Sequence, residues 1–265
     1  MGRLTEAAVL HALQTRLIGR SVRCCGEVDS TFKVLRTMEK QGAAHGTVVT
    51  AEAQTEGRGR FSRKWESQNG TGLYFNLLLR PEIPPEHAAR IIPSVAVGVC
   101  RALRDMGLDA SIKWPNDIVL SGRKVCGMLA EMGTDGTRLR FVSVGIGLNV
   151  LQTTEDFPEE LRDKAGSLAM FAASLPDRAV ILAKLLKGIE AALDTATEDF
   201  EMLLQQYRTL CITLGREIQA SGGADVCGLA EDINPDGELI VRDAQGELHV
   251  LRTADVSVRG VMGYV

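Results

Sequence analysis

A chain of 265 residues, 45% hydrophobic and 24% charged, is long enough for one large core and a small appended domain. Its net charge of −4 and pI of about 5.7 exclude the overall basic field of a nucleic-acid binder, so any basic site must be local. The amino terminus lacks an apolar signal region, and the longest apolar-rich stretch is too short to span a bilayer, so we expect a cytoplasmic protein.

The first half of the sequence predicts helices that alternate with strands. Ser30 is placed to cap a helix that Gly42 would end, and residues 46–54 are rich in β-branched side chains. The predicted elements are a helix over 5–15, a strand over 22–28, a helix from 30 to about 41, and strands over 46–54 and 73–79.

The second half begins with a predicted helix over 86–106 that Gly107 ends, followed by strands joined by tight turns. Strand 111–114 precedes a hairpin about Ser121-Gly122, and Asp135-Gly136 marks another turn. The remaining predicted elements are strands over 117–120, 124–131 and 139–150, and helical sequence over 176–210. Strands joined mainly by tight turns indicate an α+β fold with a mixed, largely antiparallel sheet on which helices pack.

From residue 215 the chain changes to short apolar alternations interrupted by turn residues about every ten positions. This pattern is typical of a small SH3-like β-barrel. We therefore predict two domains, residues 1–212 and 213–265. The segment before Cys24 has room for one short helix only, which is too little for a winged-helix DNA-binding domain.

The six cysteines show no Cys-x-x-Cys pair, and the four histidines show no ligand spacing. We expect reduced, mostly buried cysteines and no zinc site.

The segment from Gly57 to Trp65 places four cationic side chains and two glycines in nine residues of an acidic protein. Glycines permit close backbone approach, guanidinium groups match phosphate and carboxylate oxygens, and Trp65 offers a flat apolar face. The segment, called the basic loop below, is therefore expected to close on an anion; the alternative is a solvated surface loop.

Several motifs in order resemble those of the biotin protein ligases. Besides the basic loop they are Asp29-Ser30-Thr31, Glu52-Ala53-Gln54, Lys113-Trp114-Pro115-Asn116-Asp117, Lys124 to Glu131, and Val144 to Asn149. The resemblance runs from about Asp29 to Asn149, continues more weakly to the C-terminus, and is to the short form without an N-terminal DNA-binding domain.

The resemblance implies a reaction in two steps. The biotin carboxylate attacks the α-phosphate of ATP to give biotinyl-5′-AMP, and a lysine of a biotin carboxyl carrier protein or domain then displaces AMP. ATP and biotin are the implied substrates with Mg²⁺, and the carrier belongs to acetyl-CoA carboxylase or a related carboxylase. We expect no DNA or membrane partner, and either a monomer or a homodimer.

The resemblance also assigns site residues. Arg60 and Lys124 are the expected catalytic groups, because both can neutralise charge when one anion approaches another. The biotin-binding set is Ser30, Thr31, Gln54, Gly57, Arg58, Lys124 and Gly127. The set for ATP and the adenylate is Arg58, Arg60, Trp65, Asn116 and Lys124. Metal ligands are left open.

Two residues depart from the family pattern: Phe32 stands where many relatives have a polar residue, and Ser62 replaces a glycine. The nearest alternative is a lipoate or octanoate ligase of the same architecture, although the basic loop and the Lys113 to Asp117 motif favour biotin. A second alternative is a non-enzymatic regulator, and a third is independent RNA or protein binding by the C-terminal barrel.

Overall fold

The computed structural model describes residues 2–222, 225–252 and 256–260, and it contains no helix in those ranges that could cross a membrane. Its larger part is built on a seven-stranded sheet with the order β1-β2-β3-β7-β6-β5-β4. These strands are β1 (Val22–Val28), β2 (Val48–Gln54), β3 (Gly72–Leu79), β4 (Ala110–Lys113), β5 (Asp117–Leu120), β6 (Arg123–Thr134) and β7 (Leu139–Asn149).

Only the β1–β2 pair is parallel within this sheet, and the other neighbouring pairs are antiparallel. A parallel pair needs a crossover connection, which is supplied here by a helix between β1 and β2. The predicted mixed, largely antiparallel sheet is thereby confirmed.

Five α-helices accompany the sheet in the described part of the chain: α1 (Glu6–Ala12), α2 (Thr31–Lys40), α3 (Ile91–Arg104), α4 (Arg178–Glu198) and α5 (Phe200–Leu210). Side-chain alternation along β3 separates the two faces of the sheet. Leu73, Phe75 and Leu77 join the main core with α3, α4 and α5, whereas Leu78 packs under α2 in a smaller cluster. The α2 side is the face on which the candidate site lies.

Several predicted bounds differ from the observed ones. The first helix ends at Ala12, and residues Pro85–Arg90 form a 3-10 turn before α3 begins at Ile91. The helical sequence predicted over 176–210 forms two helices separated at Asp199, whose extended backbone ends α4 and whose side chain accepts the Met202 N–H to cap α5. An aspartate that can cap a helix competes with continuation of the preceding one.

Other local predictions are confirmed. The Ser30 side chain caps α2, and Ser121 and Gly122 both have positive φ (46° and 78°), as a two-residue hairpin turn of this kind requires. The prediction of mostly buried cysteines holds for three of the six only: Cys100, Cys126 and Cys211 are buried, whereas Cys24 and Cys25 are half-buried and Cys227 is exposed.

The C-terminal part is a five-stranded antiparallel sheet with the order β11-β10-β9-β8-β12. The strands are β8 (Glu217–Gly222), β9 (Val226–Ile233), β10 (Leu239–Asp243), β11 (Leu248–Leu251) and β12 (Val256–Gly260). This agrees with the predicted SH3-like unit. Parts of the predicted domain, residues 223–224, 253–255 and 261–265, lie outside the described residues.

The two parts are joined by a buried hydrogen bond and by an ion pair nearer the surface. The Trp114 side chain, 2% exposed, donates its indole N–H to the Gly237 carbonyl over 3.0 Å. Arg208 of α5 pairs with Asp232 of β9 at 2.7 Å. Trp114 thus belongs to the core, and its contact helps to hold the C-terminal sheet beside the larger one.

Candidate active site

A cavity of about 1040 Å³ lies between the basic loop, strands β5 to β7 and the C-terminal sheet. Eight of its lining residues are cationic and four are acidic, so the cavity is locally basic although the protein carries a net charge of −4. The cationic residues are Arg58, Arg60, Arg63, Lys64, Lys113, Lys124, Lys164 and Arg259. The predicted local basic site therefore exists, and it is concave.

The basic loop folds as a short hairpin at one side of this cavity. The Trp65 N–H donates to the Gly57 carbonyl (2.9 Å), and the Gly59 N–H donates to the Arg63 carbonyl (2.7 Å). A Cβ at residue 57 would lie 2.5 Å from the Trp65 carbonyl oxygen, so the closure of the hairpin needs glycine there.

The Trp65 indole packs onto a pair of glycines that face each other across strands β6 and β7. Gly127 and Gly147 are cross-strand partners; a Cβ at residue 147 would lie 2.4 Å from Trp65 Cε2, and one at residue 127 would lie 2.9 Å from Trp65 Cζ3. Within the described part of the chain, the buried Trp65 indole N–H has no hydrogen-bond partner. The glycines thus make the space that the indole occupies on the sheet.

Lys124 lies beside this contact. Its ammonium is 2.6 Å from an Asp117 carboxylate oxygen and 5.3 Å from the centre of the Trp65 ring. Its backbone N–H donates to the Lys164 carbonyl (2.7 Å), which ties β6 to the 3-10 segment that follows β7. The side chain is 27% exposed, so the ammonium is partly shielded but still reaches the cavity.

Arg60 at the loop tip points to the same end of the cavity. It donates to the Asn116 side-chain oxygen over 3.3 Å and lies over the Phe61 ring at 4.8 Å. Burial lowers the pKa of Arg60, although a guanidinium remains protonated at neutral pH. The Asn116 amide in turn donates to the Met128 carbonyl (2.5 Å), which fixes it against β6. The positive charge of Arg60 is thus partly desolvated within the cavity.

Lys113 also lines the cavity, although no site role was predicted for it. It is 5% exposed, and burial lowers its pKa to about 8, against the opposing effect of Asp117. Its place in the Lys113 to Asp117 motif was a signal that could have found it. Arg259 of β12 also lines the cavity, but no local pattern marked it, because the packing of the C-terminal sheet brings it there.

Neutral polar groups cluster at the other end, where α2 begins. Both the Thr31 N–H (2.9 Å) and its hydroxyl (3.0 Å) donate to the Gln54 side-chain oxygen. The Gln54 amide donates to the Ser67 hydroxyl (3.1 Å). Thr31 and Gln54 line the cavity, whereas Ser30 caps α2 and, like Gly57, is not among the lining residues.

Arg58 of the basic loop lies near these groups, over the residue that follows Thr31. It forms an ion pair with Glu131 of β6 (3.1 Å) and lies over the Phe32 ring at 5.7 Å. The structure therefore brings Arg60, Asn116 and Lys124 to one end of the cavity, and places Thr31, Gln54 and Arg58 toward the other.

Comparison with known proteins gives concordant results over both parts of the chain. Residues 26–149 match the Biotin/lipoate A/B protein ligase family, and residues 213–259 match the Biotin protein ligase C terminal domain. The chain is 32% identical to Biotin--[acetyl-CoA-carboxylase] ligase of Mycobacterium tuberculosis, over 93% of this chain and 94% of that protein. It is 34% identical to Bifunctional ligase/repressor BirA of Bacillus subtilis, over 97% of this chain and 80% of that protein.

Among solved structures, the biotin protein ligase from Aquifex aeolicus in complex with biotin and ATP superposes with a TM-score of 0.79. The sequences are 30% identical, and the match covers 91% of this chain and 99% of that chain.

Proposed function

This chain belongs to the biotin protein ligases, and from that premise we propose how its cavity carries out the reaction. The enzyme activates biotin with ATP to biotinyl-5′-AMP and transfers biotin to a lysine of a carrier protein. The observation that carries the proposal is one basic cavity with Lys124 and Arg60 at one end and the Thr31–Gln54 pair at the other.

The first step requires charge neutralisation. An oxygen of the biotin carboxylate attacks the α-phosphorus of ATP, an acyl–phosphate bond forms, and pyrophosphate leaves. Since both reactants are anions, we assign Lys124 and Arg60 to neutralise the carboxylate oxygens of biotin and the α-phosphate oxygens of ATP as the two groups approach. Charge-assisted hydrogen bonds contribute about 1.5–3 kcal/mol each, so bonds that tighten in the transition state would have a large effect on rate.

We assign the biotin ring to the end of the cavity at α2. A ureido group offers N–H donors and a carbonyl acceptor, which suit the neutral polar atoms of Thr31 and Gln54 in a largely apolar wall. Ser30 would act there through the amino terminus of α2, which its side chain caps. Gly57, Arg58 and Gly127 complete the proposed set by shaping the backbone and the sheet surface around the ligand.

We assign ATP to the end formed by Arg60, Trp65, Asn116 and Lys124, with Arg58 as a further candidate for the phosphates. Lys113 joins this set here, because its buried nitrogen belongs to the same cavity wall. Lys124 serves both substrates, which fits a group placed where the carboxylate meets the α-phosphate.

Mg²⁺ would enter with the nucleotide. No three His, Cys, Asp or Glu side chains gather to hold a metal within the described ranges, so a dedicated protein site for the ion has no support there. Mg²⁺ commonly binds through substrate phosphates, waters and one or two carboxylates, and this mode is compatible with the cavity. When bound, the ion would neutralise phosphate charge; we assign no residue to it.

In the second step the acceptor amine attacks the acyl carbon, AMP leaves, and the amine nitrogen loses its proton. The partner is a biotin carboxyl carrier protein or domain, and we propose that it belongs to acetyl-CoA carboxylase or a related carboxylase. The basic loop would shield the mixed anhydride from water until the acceptor arrives. We propose residues 1–212 as the catalytic domain and 213–265 as the C-terminal domain, in a cytoplasmic monomer or homodimer.

DNA binding is not part of the proposal. Arg58 forms an ion pair with Glu131, and Lys64 forms one with Glu66. Two of the four cationic side chains of the basic loop are therefore paired within the protein. A salt-resistant, biotin-dependent shift of promoter DNA in a gel would contradict this view.

The decisive experiment is incubation with Mg-ATP and either biotin or lipoate, followed by mass spectrometry of the acyl-adenylate and of a carrier domain. Biotinyl-AMP and a biotinylated carrier are expected. The relatives are named for biotin, which weakens the lipoate alternative. Formation of lipoyl-adenylate without any biotin product would restore that alternative.

A further inference from the structure

A second cavity, of about 540 Å³, lies on the outer side of the candidate active site. Its wall includes Leu35, Leu78, Phe141 and Ser143. Among the described residues Phe32 alone lines both this outer cavity and the larger one. The aromatic ring of Phe32 is therefore the partition between them.

Strand register fixes the order of the two cavities. Leu129 and Gly145 are cross-strand partners that line the larger cavity, and the next pair on the same face, Glu131 and Ser143, lines the outer one. Successive residues on one face of a strand are about 7 Å apart. The two cavities thus follow one another along β6 and β7, with Phe32 at the step.

The ring of Phe32 sits directly on the sheet at that step. A Cβ at residue 145 would lie 2.4 Å from Phe32 Cε2, so glycine at 145 is what allows the ring to reach the strand. The ring is buried, and the Arg58 guanidinium lies over it at 5.7 Å while pairing with Glu131. The partition is consequently held from below by the sheet and from above by the basic loop.

We propose that Phe32 is a specificity-determining residue that closes the ring end of the biotin pocket and sets the largest ring system the enzyme accepts. The inference rests on the proposed function. Phe32 follows Thr31, whose hydroxyl and N–H hold Gln54 at the end assigned to the ureido ring. A ligand ring that reaches Thr31 and Gln54 meets the phenyl group next.

The space behind the partition is partly polar. Asn76, 0% exposed, is the β3 partner of Gly145, and its side-chain oxygen accepts the Ser143 hydroxyl over 2.9 Å. Ser143 lines the outer cavity. Removal of the phenyl group would join the two cavities and give an enlarged biotin analogue both space and a polar wall.

The test uses biotin and an analogue that carries a propyl group on a ureido nitrogen, with the full-length protein and its Phe32→Ala and Phe32→Leu variants. Binding is measured by titration calorimetry and adenylation by pyrophosphate release. The ratio of analogue affinity to biotin affinity is expected to rise about tenfold or more in Phe32→Ala, and less in Phe32→Leu. The ratio of kcat/KM values should follow it.

Phe141→Ala is the matched control, because it removes a phenyl group from the outer cavity and leaves the partition in place. The ratio of analogue affinity to biotin affinity in Phe141→Ala is expected to stay within about twofold of the wild-type value. The inference would be overturned by Phe32 variants that unfold cooperatively and bind biotin but keep the wild-type ratio of analogue affinity to biotin affinity. If Phe32→Ala does not fold, the ratio measured for Phe32→Leu decides the test. Failure of wild type to adenylate biotin would count against the proposed function alone, since the calorimetric ratio does not depend on turnover.

Discussion

Lys124 and Asp117, which both line the cavity, form a close ion pair with 2.6 Å between the ammonium nitrogen and a carboxylate oxygen. Both side chains come from the β5–β6 hairpin, in which Asp117 is the cross-strand partner of Gly127. The carboxylate therefore holds the ammonium beside the sheet surface over which Trp65 lies. Such an arrangement suits a lysine that acts through its positive charge, because the carboxylate fixes where the ammonium lies.

Alanine at Arg60 or at Lys124 is expected to slow biotinyl-AMP formation at least tenfold, which corresponds to about 1.4 kcal/mol in the barrier. Each removes positive charge from the place where two anions meet, and neither side chain is part of the hydrophobic core. Pyrophosphate release in a stopped assay measures the effect, with thermal unfolding to check the fold. Lys187→Ala, a lysine bonded to Gln14 on an exposed surface, is the control; near-native rates in both test variants would refute the assignment.

Asp117→Asn is expected to reduce the rate through Lys124, since an amide no longer holds the ammonium by charge. The double variant Asp117→Asn with Lys124→Ala should then be little slower than Lys124→Ala alone, because coupled residues are not additive. Single-turnover adenylation rates for the four proteins of this cycle measure the coupling. Additive losses would show that Asp117 acts independently of Lys124.

Gly147→Ala is expected to displace the Trp65 indole, because the new Cβ would lie 2.4 Å from Trp65 Cε2. The change should raise the KM for ATP about tenfold or more and make tryptophan fluorescence easier to quench with acrylamide. Gly133→Ala is a matched steric control, since its Cβ would meet Phe141 instead, outside the larger cavity. Equal effects in both variants would argue against a specific role for the indole contact.

The affinity for ATP is expected to fall as the pH rises through about 8. Burial lowers the pKa of Lys113 from 10.5 to about 8, so its ammonium is lost well below the pH at which an ordinary lysine titrates. Between pH 8 and pH 10.5 the unfolded chain holds a proton on Lys113 that the folded chain has lost. The contribution of Lys113 to the free energy of unfolding therefore rises with pH through that range. The KM for ATP, measured between pH 7 and 9.5, should therefore increase above pH 8 in the wild type.

Lys113→Arg separates this effect from other titrations, because a guanidinium keeps its charge throughout that pH range. The variant should show a flatter dependence of the KM for ATP on pH. An identical dependence in the two proteins would assign the titration to another group.

Trypsin is expected to cut the ligand-free protein near Arg63 and Lys64, which are exposed on the basic loop. Biotin with Mg-ATP should suppress that cleavage, because the adenylate would hold the loop over the cavity. Gel electrophoresis and mass spectrometry of the fragments measure the change. Cleavage at the same rate with and without substrates would oppose a lid function.

Local patterns in the sequence determined most of the elements and the chemical character of the site. Alternation predicted the strands, Ser30 and Gly42 bounded α2, and Ser121-Gly122 predicted a hairpin, because each depends only on near neighbours along the chain. The ordered motifs predicted the family, and they identified Arg60, Asn116 and Lys124 as site residues.

Tertiary structure alone decided which side chains meet. Trp65 lies on Gly147, Arg58 pairs with Glu131, and Arg259 reaches the cavity from the C-terminal sheet. These contacts join residues far apart in sequence, and they depend on strand order and on the packing of the two sheets. The low pKa of Lys113 has the same origin, since burial is a property of the folded chain and has no signature in the sequence around the residue.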